Sequence, residues 1–239
     1  MTLEFVLFRH GHSLANLESR VVSSLEHGTK KTGGPFGTGF GLSDRGRGEV
    51  KESVASLLEY ILQSTSSGTT SQIRIVASPF LRTQHTAHLI HESIQQKSLE
   101  FDQLTVKGEI ETDKDLRERF FGEFELATPS DNIYDQVWIE DSRNPFHRSF
   151  GVESVNEVTE RATGVVRRVE SEEQTGQESA VKTWVILVSH GDALQILQTA
   201  MKGWSGDRHR EVEHLNTANW RHVAWCDSLK DAHSGALNA

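Results

Sequence analysis

Three strand-length stretches rich in apolar residues, Phe5–Phe8, Ile73–Val76 and Val181–Val188, each run into a polar stop: Arg9-His10-Gly11, Ser78-Pro79 and Ser189-His190-Gly191. Between and after them the apolar residues recur at helical spacing, in four groups. These are Val50, Val54, Leu57, Leu58, Ile61 and Leu62; Leu81, Leu89, Ile90 and Ile94; Val155, Val158, Ala162, Val165, Val166 and Val169; and Ala193, Leu194, Ile196, Leu197, Ala200 and Met201. Ser43 is placed to cap the first of these helices. Further strands are predicted over Leu104–Glu109 and His222–Trp225, whereas Asp113–Glu125 has no clear period. Strands alternating with helices imply an α/β fold, a three-layer α/β/α sandwich with a mainly parallel central sheet. In such folds ligands bind beyond the carboxyl ends of the strands. If the three polar-ended strands are parallel neighbours, Arg9, His10, Arg82 and His190 converge on one spot.

The 239 residues are expected to form one domain over residues 1–239, since they show neither an internal repeat nor a linker. Two segments interrupt the pattern. Gly28–Gly41 holds 6 glycines in 14 residues, within a Gly-rich insertion at about 17–41, and reads as a mobile surface connection. Tyr134, Trp138, Phe146 and Phe150 lie in an irregular stretch, at about 126–150, that either caps a leaving group or packs on the sheet edge. The formal net charge of −9 argues against a surface for nucleic acid or anionic membrane, although residues 9–51 carry 7 Lys+Arg against 4 Asp+Glu. A single cysteine, Cys226, excludes an internal disulfide framework and multi-cysteine metal sites. His10 and His12, two apart on a turn, are a poor metal pair, so no metal is expected. Without a signal-like N-terminus or an apolar run of about 20 residues, the expected setting is cytoplasmic.

Two guanidiniums offer forked donors that match a phosphate dianion, and a neutral imidazole can attack phosphorus. Phosphoryl transfer is the chemistry these residue types suit. A departing alkoxide then needs a proton, which a carboxyl group of raised pKa can supply. Spacing alone does not choose that group among 34 acids.

Arg9-His10-Gly11, with His12, Ser13 and Asn16 after it, resembles the Arg-His-Gly signature of the histidine phosphatase superfamily, which includes the cofactor-dependent phosphoglycerate mutases. The later motifs follow in the family's order: Leu42-Ser43 with Gly46, Ser78-Pro79-Phe80-Leu81-Arg82-Thr83 with Thr86-Ala87, Leu116-Arg117-Glu118 with Phe121-Gly122, Gly151-Val152-Glu153-Ser154 with Arg161, and Ser189-His190-Gly191. The resemblance implies a phosphoglycerate mutase-like fold. It also implies that His10 is the nucleophile, that Arg9, Arg82, His190 and Asn16 hold the phosphoryl group, and that Glu118 is the acid and then the base. Gly191 would contribute a backbone N–H or let its turn close. The partner would be a small-molecule phosphate ester, with no cofactor and no metal.

His12 and Ala15 depart from the family's usual Glu or Gln and the mutases' Trp, Phe120-Phe121 from the mutases' His-Tyr, and Leu126 from the usual Gly. The short span from Glu118 to the Gly151 motif resembles the phosphatase branch. Hydrolysis of a phosphomonoester through a phosphohistidine is therefore the expectation, with a mutase, or a non-catalytic phosphate- or protein-binding relative, as the alternatives.

Overall fold

A computed structural model describes residues 2–128, 132–174 and 181–225; Cys226 and residues 129–131 of the aromatic stretch lie outside the described residues. The strands are β1 (Thr2–Arg9), β2 (Thr70–Ala77), β3 (Leu104–Val106), β4 (Glu111–Thr112), β5 (Val181–Ser189) and β6 (Trp220–Val223). The helices are α1 (Leu14–Leu17), α2 (Leu25–Thr29), α3 (Asp44–Gln63), α4 (Leu81–Ser98), α5 (Ile133–Arg143), α6 (Val155–Gln174) and α7 (Gly191–Met201). The sheet runs β3-β2-β5-β1-β6, with β4 continuing alongside β2; all pairs are parallel except β1 with β6.

β5 is central and buried on both faces, which is why its sequence is almost continuously apolar rather than alternating. Side chains from each strand divide between two cores. Val6 and Phe8 join Ile73, Ile75, Ile186 and Val188 under α3 and α4, and Phe5 and Leu7 join Val76, Val185 and Leu187 under α6 and α7. Helices on both sheet faces complete the three layers. The strand predicted over Leu104–Glu109 stops at Val106, because Gly108 turns the chain at φ +64°, and β4 begins beyond the predicted bounds.

Register delivers the site. Arg9 pairs with Ser189 and Ala77 with Val188, so β1, β5 and β2 end level with one another. The backbone N–H groups of His10 and Ser78 donate to Ser189 O and Val188 O, carrying that alignment one residue past the strands.

Candidate active site

His10, at the end of β1, is 3% exposed and hydrogen-bonded at both ring nitrogens. Nδ1 lies 2.8 Å from Gly11 O, and a carbonyl only accepts, so the proton is on Nδ1. Nε2 is therefore the unprotonated nitrogen, and Arg82 Nε donates to it at 3.1 Å. Burial, with Arg82 and Arg9 nearby, pushes the imidazole well below its usual range and keeps it neutral.

Arg82 sits in the first turn of α4, 4% exposed. Its Nη2 donates to Val22 O at 2.8 Å and its guanidinium lies 4.8 Å from the Phe80 ring centre, but among the described residues no carboxylate is bonded to it. Burial lowers it to about 10, still charged at neutral pH. Thr86 locks this turn to the first, accepting from Gly11 N and donating to Arg82 O. His190, fully buried, has its ring 5.3 Å from that of His10 and its Nε2 2.8 Å from Ser78 Oγ. Burial and Arg82 depress it strongly as well.

Among the described residues, three buried side-chain nitrogens of this site have no partner: Arg9 Nε and Arg82 Nη1, which only donate, and His190 Nδ1, which donates in the tautomer whose Nε2 accepts from Ser78 Oγ. An unsatisfied buried donor costs about 1–3 kcal/mol, and a buried cation without a counter-charge costs more. An anion seated here would offset all three.

Glu118 lies across the cavity. Its Oε1 accepts from Arg119 N at 2.9 Å and from Ala193 N, in the first turn of α7, at 3.2 Å. Burial and then the charge of Asp192 raise its pKa above the ordinary carboxylate range, against the pull of Arg82. Arg161 and Glu153 position it: Arg161 donates to the carbonyls of Asp115, Arg117 and Glu118 and is paired with Glu153, which also holds Arg117. The nearby Glu125 has a different task. It accepts from the backbone and hydroxyls of Ser23 and Ser24 and from His27, at 2.5–3.1 Å, so burial notwithstanding it is held below its usual range. This clamp anchors the Val21–Ser24 wall whose Val22 O holds Arg82. Glu125→Ala is expected to lower kcat/KM on p-nitrophenyl phosphate by about 10- to 100-fold through misplacement of that wall. Unchanged kinetics would remove Glu125 from the positioning of Arg82.

Arg9, His10, Asn16, Arg82, Glu118 and Gly191 all line one cavity of about 350 Å³, with His190 directly behind His10. Asn16 is engaged as well: its Oδ1 accepts from Ser13 N and Oγ in a capping box for α1, leaving the amide N–H as what it can offer a phosphate. Ala15 faces the cavity, but His12 does not; its Nδ1 meets Ser43 Oγ at 2.8 Å, tying the first turn to the cap of α3. Of the four aromatics, Tyr134 and Trp138 line the cavity, Phe150 packs on Phe124 and Phe146 is exposed. The stretch expected to be irregular contains α5, anchored from within by fully buried Asp141, which takes both ends of the Arg119 guanidinium at 2.7 Å. Tyr134 packs edge-on to Phe121 and stacks on Trp138, and burial together with Glu118 and Asp192 pushes its phenol up to about 12, so it remains a donor. Part of the Gly-rich insertion also forms the wall, at Ser19–Ser23. His214 and Asp192 also line the cavity, and neither was signalled by periodicity or motif.

A model of the histidine phosphatase superfamily (branch 1) matches residues 5–233. The chain belongs to this superfamily. Among solved structures it is similar to mycobacterial glucosyl-3-phosphoglycerate phosphatase with VO3 (20% identity, 92% of this chain and 90% of that one, TM-score 0.67). It is also similar to mycobacterial hydrolase 1 (20%, 92% and 87%, 0.66) and to phosphoserine phosphatase of Entamoeba histolytica with 3-phosphoglyceric acid (16%, 92% and 90%, 0.60). At these identities the superfamily's fold is what is shared. A comparison with curated proteins finds no significant match.

Proposed function

We propose that the protein hydrolyses small phosphomonoesters through a phosphohistidine on His10. The observation that carries this reading is the pair of buried guanidinium donors without a partner among the described residues, Arg9 Nε and Arg82 Nη1, together with the unpaired His190 Nδ1, beside an imidazole whose Nε2 is held unprotonated. An arriving phosphoryl group takes over Arg82, frees the Nε2 lone pair and meets the other donors as charge spreads over its equatorial oxygens. Nε2 attacks phosphorus in line while the ester oxygen departs on the opposite side, towards Glu118. The Nδ1–H bond to Gly11 O steadies the imidazolium that forms.

Glu118, whose pKa burial raises above the ordinary carboxylate range, gives its proton to the leaving oxygen. The carboxylate left behind takes a proton from water, which attacks the phosphohistidine and restores both residues as phosphate leaves. Retention of the phosphoryl group and its return to an isomer, the mutase outcome, would need a site that excludes this water.

Glu118→Gln is expected to slow hydrolysis of alkyl phosphates about 10²- to 10⁴-fold, and that of p-nitrophenyl phosphate far less, since nitrophenolate scarcely needs protonation. Equal losses on both would remove Glu118 from that role. The raised pKa sets the sign of the pH dependence: leaving-group protonation is present at low pH and is lost as pH rises through the Glu118 value. The alkaline limb for alkyl esters therefore disappears in the variant. The reading as a whole is tested by a phosphate-release screen over sugar phosphates, phosphoglycerates, nucleotides and phosphopeptides.

A further inference from the structure

Arg9 is held by a part of the chain that no motif marks. The segment between the last helix and β6 crosses the end of β1, with Ala218 N donating to His10 O and Asn219 O accepting from Arg9 N. It places His214 Nε2 2.7 Å and Leu215 O 2.8 Å from Arg9 Nη1. An arginine N–H only donates, so His214 Nε2 is unprotonated and its proton is on Nδ1, which faces Gln195 Oε1 at 3.4 Å. The orientation of that amide is set independently: Gln195 Nε2 donates to Val212 O, and Oε1 also accepts from Arg210 Nη1.

We propose that His214 is a positioning residue for the phosphate-binding arginine. With Leu215 O it occupies both hydrogens of Nη1 and turns the unpaired Nε edge of Arg9 towards the phosphoryl group. Gly191 is part of the same device. A Cβ there would lie 2.9 Å from His214 Cε1 and 3.1 Å from Arg9 Cζ, so the absence of a side chain at the start of α7 lets the pair close. The relay extends outward, because Arg210 lies 3.6 Å from the ring centre of Trp138 in the cavity wall.

The charged groups facing His214 are Arg9 from β1, Arg210 from the turn after α7 and Asp192 from α7. Burial and the two arginines lower the imidazole to about 4 against the opposing pull of Asp192, which keeps the acceptor available through the neutral range. Protonation would put a second cation against Arg9 and remove its acceptor.

This inference rests on Arg9 holding the phosphoryl group. The test compares His214→Leu, which removes the acceptor, with His214→Gln, which keeps a neutral one, using inorganic phosphate as inhibitor and p-nitrophenyl phosphate as substrate. His214→Leu is expected to raise KM and the phosphate Ki about 10- to 100-fold, with a smaller change in kcat, and His214→Gln to recover most of the loss. Equal values in wild type and both variants, or equal losses in both variants, would overturn it. A readout needing no variant is ¹⁵N NMR of the histidine rings at pH 6: an unprotonated Nε2 on His214 is expected, and a protonated one refutes the assignment. Failure of the wild type to bind phosphate or to release it from any ester would instead overturn the hydrolase reading itself.

Discussion

His10→Ala is expected to abolish hydrolysis of p-nitrophenyl phosphate, a loss on the order of 10⁴-fold or more, because the step that forms the covalent intermediate has no other nucleophile. His10 is the ring whose Nε2 is both unprotonated and surrounded by donors for the group it would attack, whereas His190 Nε2 is engaged with Ser78. The fold should be retained, since the substitution removes one partner of Arg82 but leaves Val22 O and the Phe80 ring in place. A rapid-quench search for acid-labile, base-stable phosphoprotein should find label in the wild type and none in the variant. Retained turnover in a correctly folded His10→Ala protein would rule out the phosphohistidine route.

Asp141→Ala is expected to have the largest effect on stability. Arg119 is fully buried, and Asp141 receives both its forked donors at 2.7 Å and His147 Nε2 at 2.7 Å. Removing one partner of a buried ion pair leaves an uncompensated charge and costs about 3–5 kcal/mol. At roughly 2–4 °C per kcal/mol for a chain of this size, the unfolding midpoint should fall by about 6–20 °C. The double substitution Arg119→Met with Asp141→Leu should recover much of that loss, because it removes the charge together with its partner. The single variant should also weaken leaving-group selection, since this pair ties α5, and with it Tyr134 and Trp138, to the segment that carries Glu118. A midpoint shift below about 2 °C would show that Asp192 and the Glu153 carbonyl suffice for Arg119.

Much of this site was legible from local pattern. The strand-to-polar transitions at Arg9-His10, Ser78 and Ser189-His190 are short-range signals, and their convergence needed only that the three strands be parallel neighbours. Glu118 could be separated from Glu125 only through the resemblance, because Glu118, Glu123 and Glu125 lie close together in a stretch without period. The structure separates them by their partners: Glu125 is saturated by Ser23, Ser24 and His27, whereas Glu118 has Oε1 on backbone donors and borders the cavity. α5 escaped the sequence reading because only Ile133 and Val137 on it are buried apolar residues, its third buried position being Asp141, so the helical stripe is interrupted by a charge.

The resemblance implied His10 as the nucleophile; by itself the sequence determined the α/β class and the polar residues Arg9, His10, Ser78, Ser189 and His190 at the ends of three strands. These follow from periodicity and from residue types at strand ends, which are properties of a few adjacent positions. Tertiary structure alone decided which nitrogen of His10 is unprotonated, that Tyr134 and Trp138 rather than Phe146 form the wall, and that His214 holds Arg9 from 205 positions away. Each of those depends on a hydrogen bond or a contact between distant segments, whose partners are chosen by the packing of the sheet and its helices rather than by local spacing.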